Sequence, residues 1–348
     1  MHNLQLTEDQ EMVVDTVRKL VADAVAPKVQ ELDEHRSFVR EWFDGLAELG
    51  VYGLSLTEES GGADMGLVPY VAALEEIGAQ SGSLARLWIG QMQAALALEA
   101  AGGDVDDVAA GGKLAVYLGS EHAFCLSDGK LTGAAELVPG GVEADVFIVA
   151  AAVADGNAPA LVQVDARSCQ REALHSLGLN SAGCARVRCD AVAATALDAA
   201  GAAIARAELA GFLGVAAAAV GGAHGAIAAA KKHAGERIAF GKPLLVQGAV
   251  QRKLVEAGRA ASAARQLAWH AARLADLGLD AADAAIEARL AAVDAMVFAS
   301  DEAIQIHGGF GYTVEYHVER HYRDAKTLEV LDGGSGALRD RLAAMQFA

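Results

Sequence analysis

Three long alanine-rich segments in the second half of the chain limit what it can fold into. Residues 203–234, 246–277 and 281–307 carry helical patterning, and each is followed by a glycine. The first alone would be a rod of roughly 45 Å at about 1.5 Å per residue. A fourth segment, 324–346, is interrupted by Gly333, Gly334 and Gly336. Alanine side chains let helix axes approach closely. Four such segments in succession point to an antiparallel bundle.

The first hundred residues are also helical in pattern. Thr7 is the expected N-cap, with Gln10 completing a capping box. Met12, Val13, Val17, Leu20 and Val21 recur at helical spacing. Trp42, Phe43, Leu46 and Leu49 make a second apolar face that Gly50 stops. A glycine-rich loop over 57–66 precedes helices expected at 67–77 and 91–101. From about 113 to 192 the period changes. The runs 114–118, 144–153, 160–164 and 185–189 are short and bounded by glycine, aspartate or asparagine, and Ser127-Asp128-Gly129 is a tight turn. The expected architecture is α+β and multidomain. It has an N-terminal helical domain (1–111), a central β-barrel or sandwich (112–196) and a C-terminal four-helix bundle (197–348).

Composition excludes several classes. Of the 348 residues 53% are hydrophobic, but no run of about eighteen apolar residues lacks polar interruption. No basic, apolar leader opens the chain, so a cytoplasmic protein is expected. The net charge of −18 argues against nucleic acid or an anionic membrane as partner. Cys125, Cys169, Cys184 and Cys189 form no C-x-x-C pair, and His317 and His321 lack a third ligand, so no metal is expected.

The stretch 302–335 carries the chemistry. Glycines at helix boundaries either cap helices or let backbone N–H groups approach a phosphate. The string QIHGGFGYTVE at 305–315, with VER at 318–320 and YRDAK at 322–326, resembles the C-terminal signature of the flavin-dependent acyl-CoA dehydrogenases. RIAFGKPL at 237–244, LTEDQ at 6–10 and EESGG at 58–62 resemble the same family. The resemblance covers most of the chain, with a weak patch in the middle.

The resemblance implies FAD as cofactor, an acyl-CoA substrate and a glutamate base just after the YRDAK block. Here that place reads LDGGS over 331–335, so the implied base is Asp332, one methylene shorter. The family's alternative base position corresponds to Gly211, with Glu208 one turn away in reserve. Arg237, Phe240, Gln305, Gly308 and Gly309 match positions that grip the adenine and pyrophosphate end of a neighbouring subunit's FAD. Gln247 stands beside the family's glutamine position, and Gly334, two residues past Asp332, completes the expected cofactor-binding set. The β-domain departs: YLGSEH at 117–122 and LTGAAE at 131–136 replace the strings that cradle the flavin ring, and the tryptophan is missing.

One half of a flavin site is therefore kept and the other eroded. Three readings follow. The first is a subunit of a heteromeric α2β2 acyl-CoA dehydrogenase, acting on a bulky acyl-CoA such as a sterol degradation intermediate. The second is a homotetramer with Asp332 as base. The third is a binding or scaffolding protein that kept only the fold. An electron-transferring flavoprotein is the implied electron acceptor.

Overall fold

Thr7 sets the first helix. Its hydroxyl accepts from the Gln10 N–H at 3.3 Å, and the Gln10 side chain accepts from the Thr7 N–H at 3.1 Å, closing the box at the start of α1 (Glu8–Leu20). The structure, a computed structural model, describes residues 5–153, 156 and 158–347. After α2 (Val29–Glu34), α3 (Arg40–Glu48) buries Trp42, Phe43 and Leu46. Leu49, expected on that face, lies past the helix end and is largely exposed. The inner layer is α4 (Val68–Gln80) and α5 (Gly82–Ala100). α5 starts earlier than the expected residue 91 because the Ser81 hydroxyl accepts from the Leu84 N–H and caps it.

After the short α6 (Asp106–Ala109) the chain enters the β-domain. Gln91 of α5 joins the two. Its side chain donates to the carbonyls of Val108 and Lys113 and accepts from the N–H of Ala115, all within 2.8 Å. The strands are β1 (Ala115–Leu118), β2 (Ala123–Ser127), β3 (Lys130–Val138), β4 (Val146–Val153), β5 (Ala160–Asp165), β6 (Gln170–Ala173), β7 (Ala185–Ala193) and β8 (Thr195–Leu197). They make one curled sheet in the order β6-β7-β3-β2-β4-β5-β8. β1 lies parallel to the first half of β4, and β2 meets the far end of β4, also parallel. β4 therefore serves both halves of the curl. The expected turn at 127–129 joins β2 to β3, with Asp128 and Gly129 both left-handed. The strands β2, β3, β6 and β8 escaped the pattern reading because they are half-exposed and carry mixed residues.

The bundle is α7 (Ala200–Glu236), α8 (Gly248–Asp276), α9 (Ala282–His307), α10 (Glu319–Val330) and α11 (Gly334–Phe347). A small two-stranded hairpin, β9 (Ile238–Ala239) with β10 (Lys242–Pro243), joins α7 to α8. α7 is long and apolar enough to cross a membrane, but 78% of its most apolar window is buried inside the protein. It packs on α4 with no room to spare. A methyl group at Gly221 would stand 2.2 Å from the Glu75 carbonyl oxygen, and one at Gly78 would stand 2.3 Å from that of Ala218.

α10 is clamped by every part of the fold. Arg323 pairs with Asp33 at 2.5 Å and with Glu319. Asp324 accepts from the Leu179 N–H at 2.7 Å, and the Thr327 hydroxyl accepts from the Gly178 N–H at 2.9 Å. Glu319, Arg323 and Asp324 thus form a structural ion network that ties α10 to the N-terminal helices and the β-domain. His317, expected one helical turn before His321, lies outside the helix with φ 53° and accepts from Arg320 Nε at 2.7 Å.

Replacing Gly221 with alanine should force α4 and α7 apart and cost about 1–3 kcal/mol in urea unfolding. Gly201→Ala, where a methyl group meets nothing within 4 Å, should leave stability unchanged or raise it by up to about 1 kcal/mol.

Candidate active site

The clamp on α10 fixes the turn that follows it. Asp332, Gly333 and Gly334 all have left-handed backbones, with φ of 52°, 84° and 79°. Glycine adopts this region freely, and aspartate tolerates it better than longer side chains. The short carboxylate at 332 thus suits the turn that carries it.

Asp332 sits between two arginines. It accepts from Arg86 Nη2 of α5 at 2.8 Å, and Arg289 Nη1 of α9 stands 3.3 Å from its other oxygen. Arg289 also donates to the Leu331 carbonyl at 2.6 Å. Arg86 donates to Gln93, which in turn donates to the Ala207 carbonyl. Both arginines are almost wholly buried. Burial pushes the Asp332 carboxyl up, but Arg86 and then Arg289 outweigh it and hold it below the usual carboxylate range.

Beside this triad lies a cavity of about 210 Å³, lined by Tyr117, Glu121, Glu208, Phe212, Arg289, Asp332 and Arg341 among others. A cleft of about 470 Å³ opens on the other side, against Ala134, Glu136, Leu137 and Val330. A further opening of about 500 Å³ continues past Leu137 and Val330 to Leu174, Leu177 and Thr327. Glu121, Asp332 and Gly333 border both the cavity and the first cleft. The carboxylates therefore stand where a compartment for a small group meets a compartment in the size range of ligand pockets.

The other two carboxylates differ in their company. Glu208 pairs with Arg341 at 2.8 Å and accepts from Ser120 at 3.3 Å. Among the described residues the ion-pair contact of Glu121 is with His122 Nε2, at 3.1 Å. Burial, then the nearby Asp332, pushes its carboxyl up to about 7. Burial likewise pushes His122 down. At Gly211 a methyl group would stand 2.2 Å from the Gln93 side-chain nitrogen, so a side chain there would displace Gln93.

The remaining expected site residues lie elsewhere. Arg237 and Phe240 are in the hairpin after α7, Gln247 precedes α8, and Gln305, Gly308 and Gly309 end α9. That end is roughly 37 Å along α7 from Gly211. It is open. Phe240 is 97% exposed with φ 54°, and methyl groups at Gly308 or Gly309 would meet nothing within 4 Å. His233 stacks on His307 beside it at 4.3 Å. Gly334 lies with Asp332 at the other end. The expected set is thus split between two places in one chain. Arg86, Arg289, Tyr117 and Glu121 were missed by sequence reasoning. The available signal was a charge inside an otherwise apolar stretch, as at Arg86 in α5, which requires a partner; Arg289 stands among other charged residues of α9 and gave no such signal.

A helical domain, a curled sheet and a helix bundle converging on an acid-lined cavity beside a larger cleft define a small-molecule enzyme fold. Two domain models of one family match the chain: acyl-CoA dehydrogenase, N-terminal domain, over 7–105, and acyl-CoA dehydrogenase, C-terminal domain, over 200–346. An acryloyl-CoA reductase (NADH) of Anaerotignum propionicum is 28% identical, over 96% of this chain and 93% of its own length. An acyl-CoA dehydrogenase of Bacillus subtilis is 27% identical, over 95% and 96%. Among solved structures, a chain from work on the electron transferring flavoprotein of Acidaminococcus fermentans has a TM-score of 0.92 at 25% identity, covering 99% and 100%. Butyryl-CoA dehydrogenase of Megasphaera elsdenii has 0.89 at 24%, covering 98% of each chain. The chain belongs to the acyl-CoA dehydrogenase family and is an oxidoreductase acting on CH–CH bonds of acyl-CoA.

Two outcomes follow from the electrostatics. Asp332→Asn leaves two buried arginines without an anion and should cost about 3–5 kcal/mol in chemical denaturation. Glu121, with a raised folded-state pKa, contributes stability below its unfolded value that is lost as pH rises through about 7. Glu121→Gln should therefore gain on wild type between pH 5 and pH 8 in thermal melts. The gain should be on the order of 1–2 kcal/mol, discounted for a side chain 24% exposed.

Proposed function

We propose that this chain is one subunit of a heteromeric, FAD-dependent acyl-CoA dehydrogenase that desaturates an acyl-CoA thioester between its α and β carbons. The observation that carries the proposal is the split site. The open dinucleotide grip of the bundle and the cavity with its cleft lie at opposite ends of the chain. Two chains in opposed orientation place one chain's grip against the other's cleft.

The residues present fit the cofactor. Arg237 suits a pyrophosphate, because a guanidinium donates two parallel bonds. Gly308 and Gly309 leave backbone open to close approach, and Leu137, Val330 and Leu177 line a space for a ring system. When bound, FAD supplies the acceptor for the hydride leaving the β carbon. Asp332 stands at the position the sequence marks for the base. Strand β3, whose Glu136 and Leu137 line the cleft, carries no aromatic residue that would stack on a flavin ring, which favours an unlike partner over four equal subunits. The solved Tcur3481–Tcur3483 steroid ACAD, 24% identical with TM-score 0.86, is a precedent for the fold in a pair of named components. The homotetramer with Asp332 as base is the second reading, favoured by Asp332 standing in the cavity.

The substrate is proposed as acyl-CoA, with a sterol-derived or other bulky acyl group as the finer choice. The cavity of about 210 Å³ is smaller than the usual ligand pocket of about 300–1,000 Å³. A polycyclic group therefore needs space at the mouth beside Arg341. A cytoplasmic location and an electron-transferring flavoprotein as acceptor belong to the same proposal.

The chain expressed alone should purify with little flavin, and co-expression with its partner should give a yellow complex. Arg237→Ala should lower flavin retention by about tenfold, as loss of a charge-assisted bond implies. Stoichiometric flavin and turnover by the lone chain would overturn the heteromeric reading.

A further inference from the structure

The cavity holds three carboxylates, and their partners separate their roles. Asp332 has both oxygens engaged, by Arg86 at 2.8 Å and Arg289 at 3.3 Å. Glu208 is held by Arg341. Among the described residues, only Glu121 of the three has no arginine partner. It also stands on the border between the cavity and the cleft. One more group points to a ligand: the Tyr117 hydroxyl, on a side chain 5% exposed, lines the same cavity and has no hydrogen-bond partner. It is a donor for an oxygen of a bound molecule.

We propose that Glu121 takes the proton from the carbon next to the thioester carbonyl, and that Asp332 is a positioning residue that keeps Arg86 and Arg289 in place. This rests on the dehydrogenase reading above and assigns its base. In the step a Glu121 oxygen forms an O–H bond and the α C–H bond breaks. The electron pair passes to the α carbon and the thioester oxygen. The step is redox-neutral and needs no oxidant.

The surroundings suit the task. Asp332 from the α10–α11 turn and Glu208 from α7 disfavour the charged form of Glu121, and Arg86 from α5 favours it. His122 beside it is pushed toward neutrality by burial. The outcome, a carboxyl near 7, is where a general base works best at neutral pH. Asp332, held ionised by two cations, is a weak base by the same rule.

The test is α-proton exchange in heavy water, on the flavin-bearing complex with its partner. The probe is a 3-thia-acyl-CoA, whose β position is sulfur and cannot release hydride. Mass spectrometry reads deuterium uptake. Wild type should exchange, with a rate rising through an inflection near pH 7. Glu121→Gln should slow exchange at least about 100-fold and abolish the inflection. Glu121→Asp should restore part of the rate, and thioester binding, read by quenching of flavin fluorescence, should change less than about threefold. Asp332→Asn, where it folds, should still exchange, with the inflection moved to lower pH because the charge that disfavours ionised Glu121 is gone. Wild-type exchange by Glu121→Gln, or loss of exchange in Asp332→Asn with Glu121→Gln intact, overturns the proposal. A complex that binds neither flavin nor thioester refutes the dehydrogenase reading instead.

Discussion

Two buried arginines and the carboxylate between them tie this protein together. Arg86 comes from the N-terminal helical domain, Arg289 from the bundle, and Asp332 from the turn after α10. Each charge alone would be expensive to bury, and the cost is reduced because both cations share the one carboxylate. The same contacts bring three distant segments to one point. Arg289 and Asp332, two of the groups that join the domains, also line the cavity. Stability and chemistry share residues here, so a change at Asp332 acts on both.

A second constraint works with it. α10 is held by Asp33, by the loop at Gly178 and Leu179, and by its own ion pairs. The turn it delivers is left-handed for three residues in a row. That conformation accepts aspartate and glycine and disfavours longer side chains. A carboxylate placed there is short and is met by arginines. A longer one, Glu121, enters from the loop after β1, beside Gly333. A base need not come from a fixed place in the chain. It has to come from whichever wall leaves a carboxylate without a cation.

The far end of the bundle answers a different requirement. Phe240 stands almost fully exposed with a left-handed backbone, and Arg237, Gly308 and Gly309 are open beside it. Large apolar surface left bare in one chain signals a partner or a ligand. Distance along α7 separates this grip from the cavity. In the proposed complex, assembly is therefore part of how the site is built.

Much of this could be read from the residues. Helical spacing and glycine stops marked α7, α8 and α9 to within a few residues, because alanine-rich helices of that length have few alternatives. Thr7 with Gln10, the turn at 127–129 and the block over 305–326 were visible because short-range chemistry sets them. The half-exposed strands β2, β3, β6 and β8 were not visible, because mixed residues there carry no clear alternation. Nor was the pairing of Arg86 and Arg289 with Asp332, whose members lie far apart along the chain. Local sequence determined the helices and the glycine turn that ends α9. Only tertiary packing decided which carboxylates received arginines, because a charge's partner is set by proximity in space and not by neighbours in the chain.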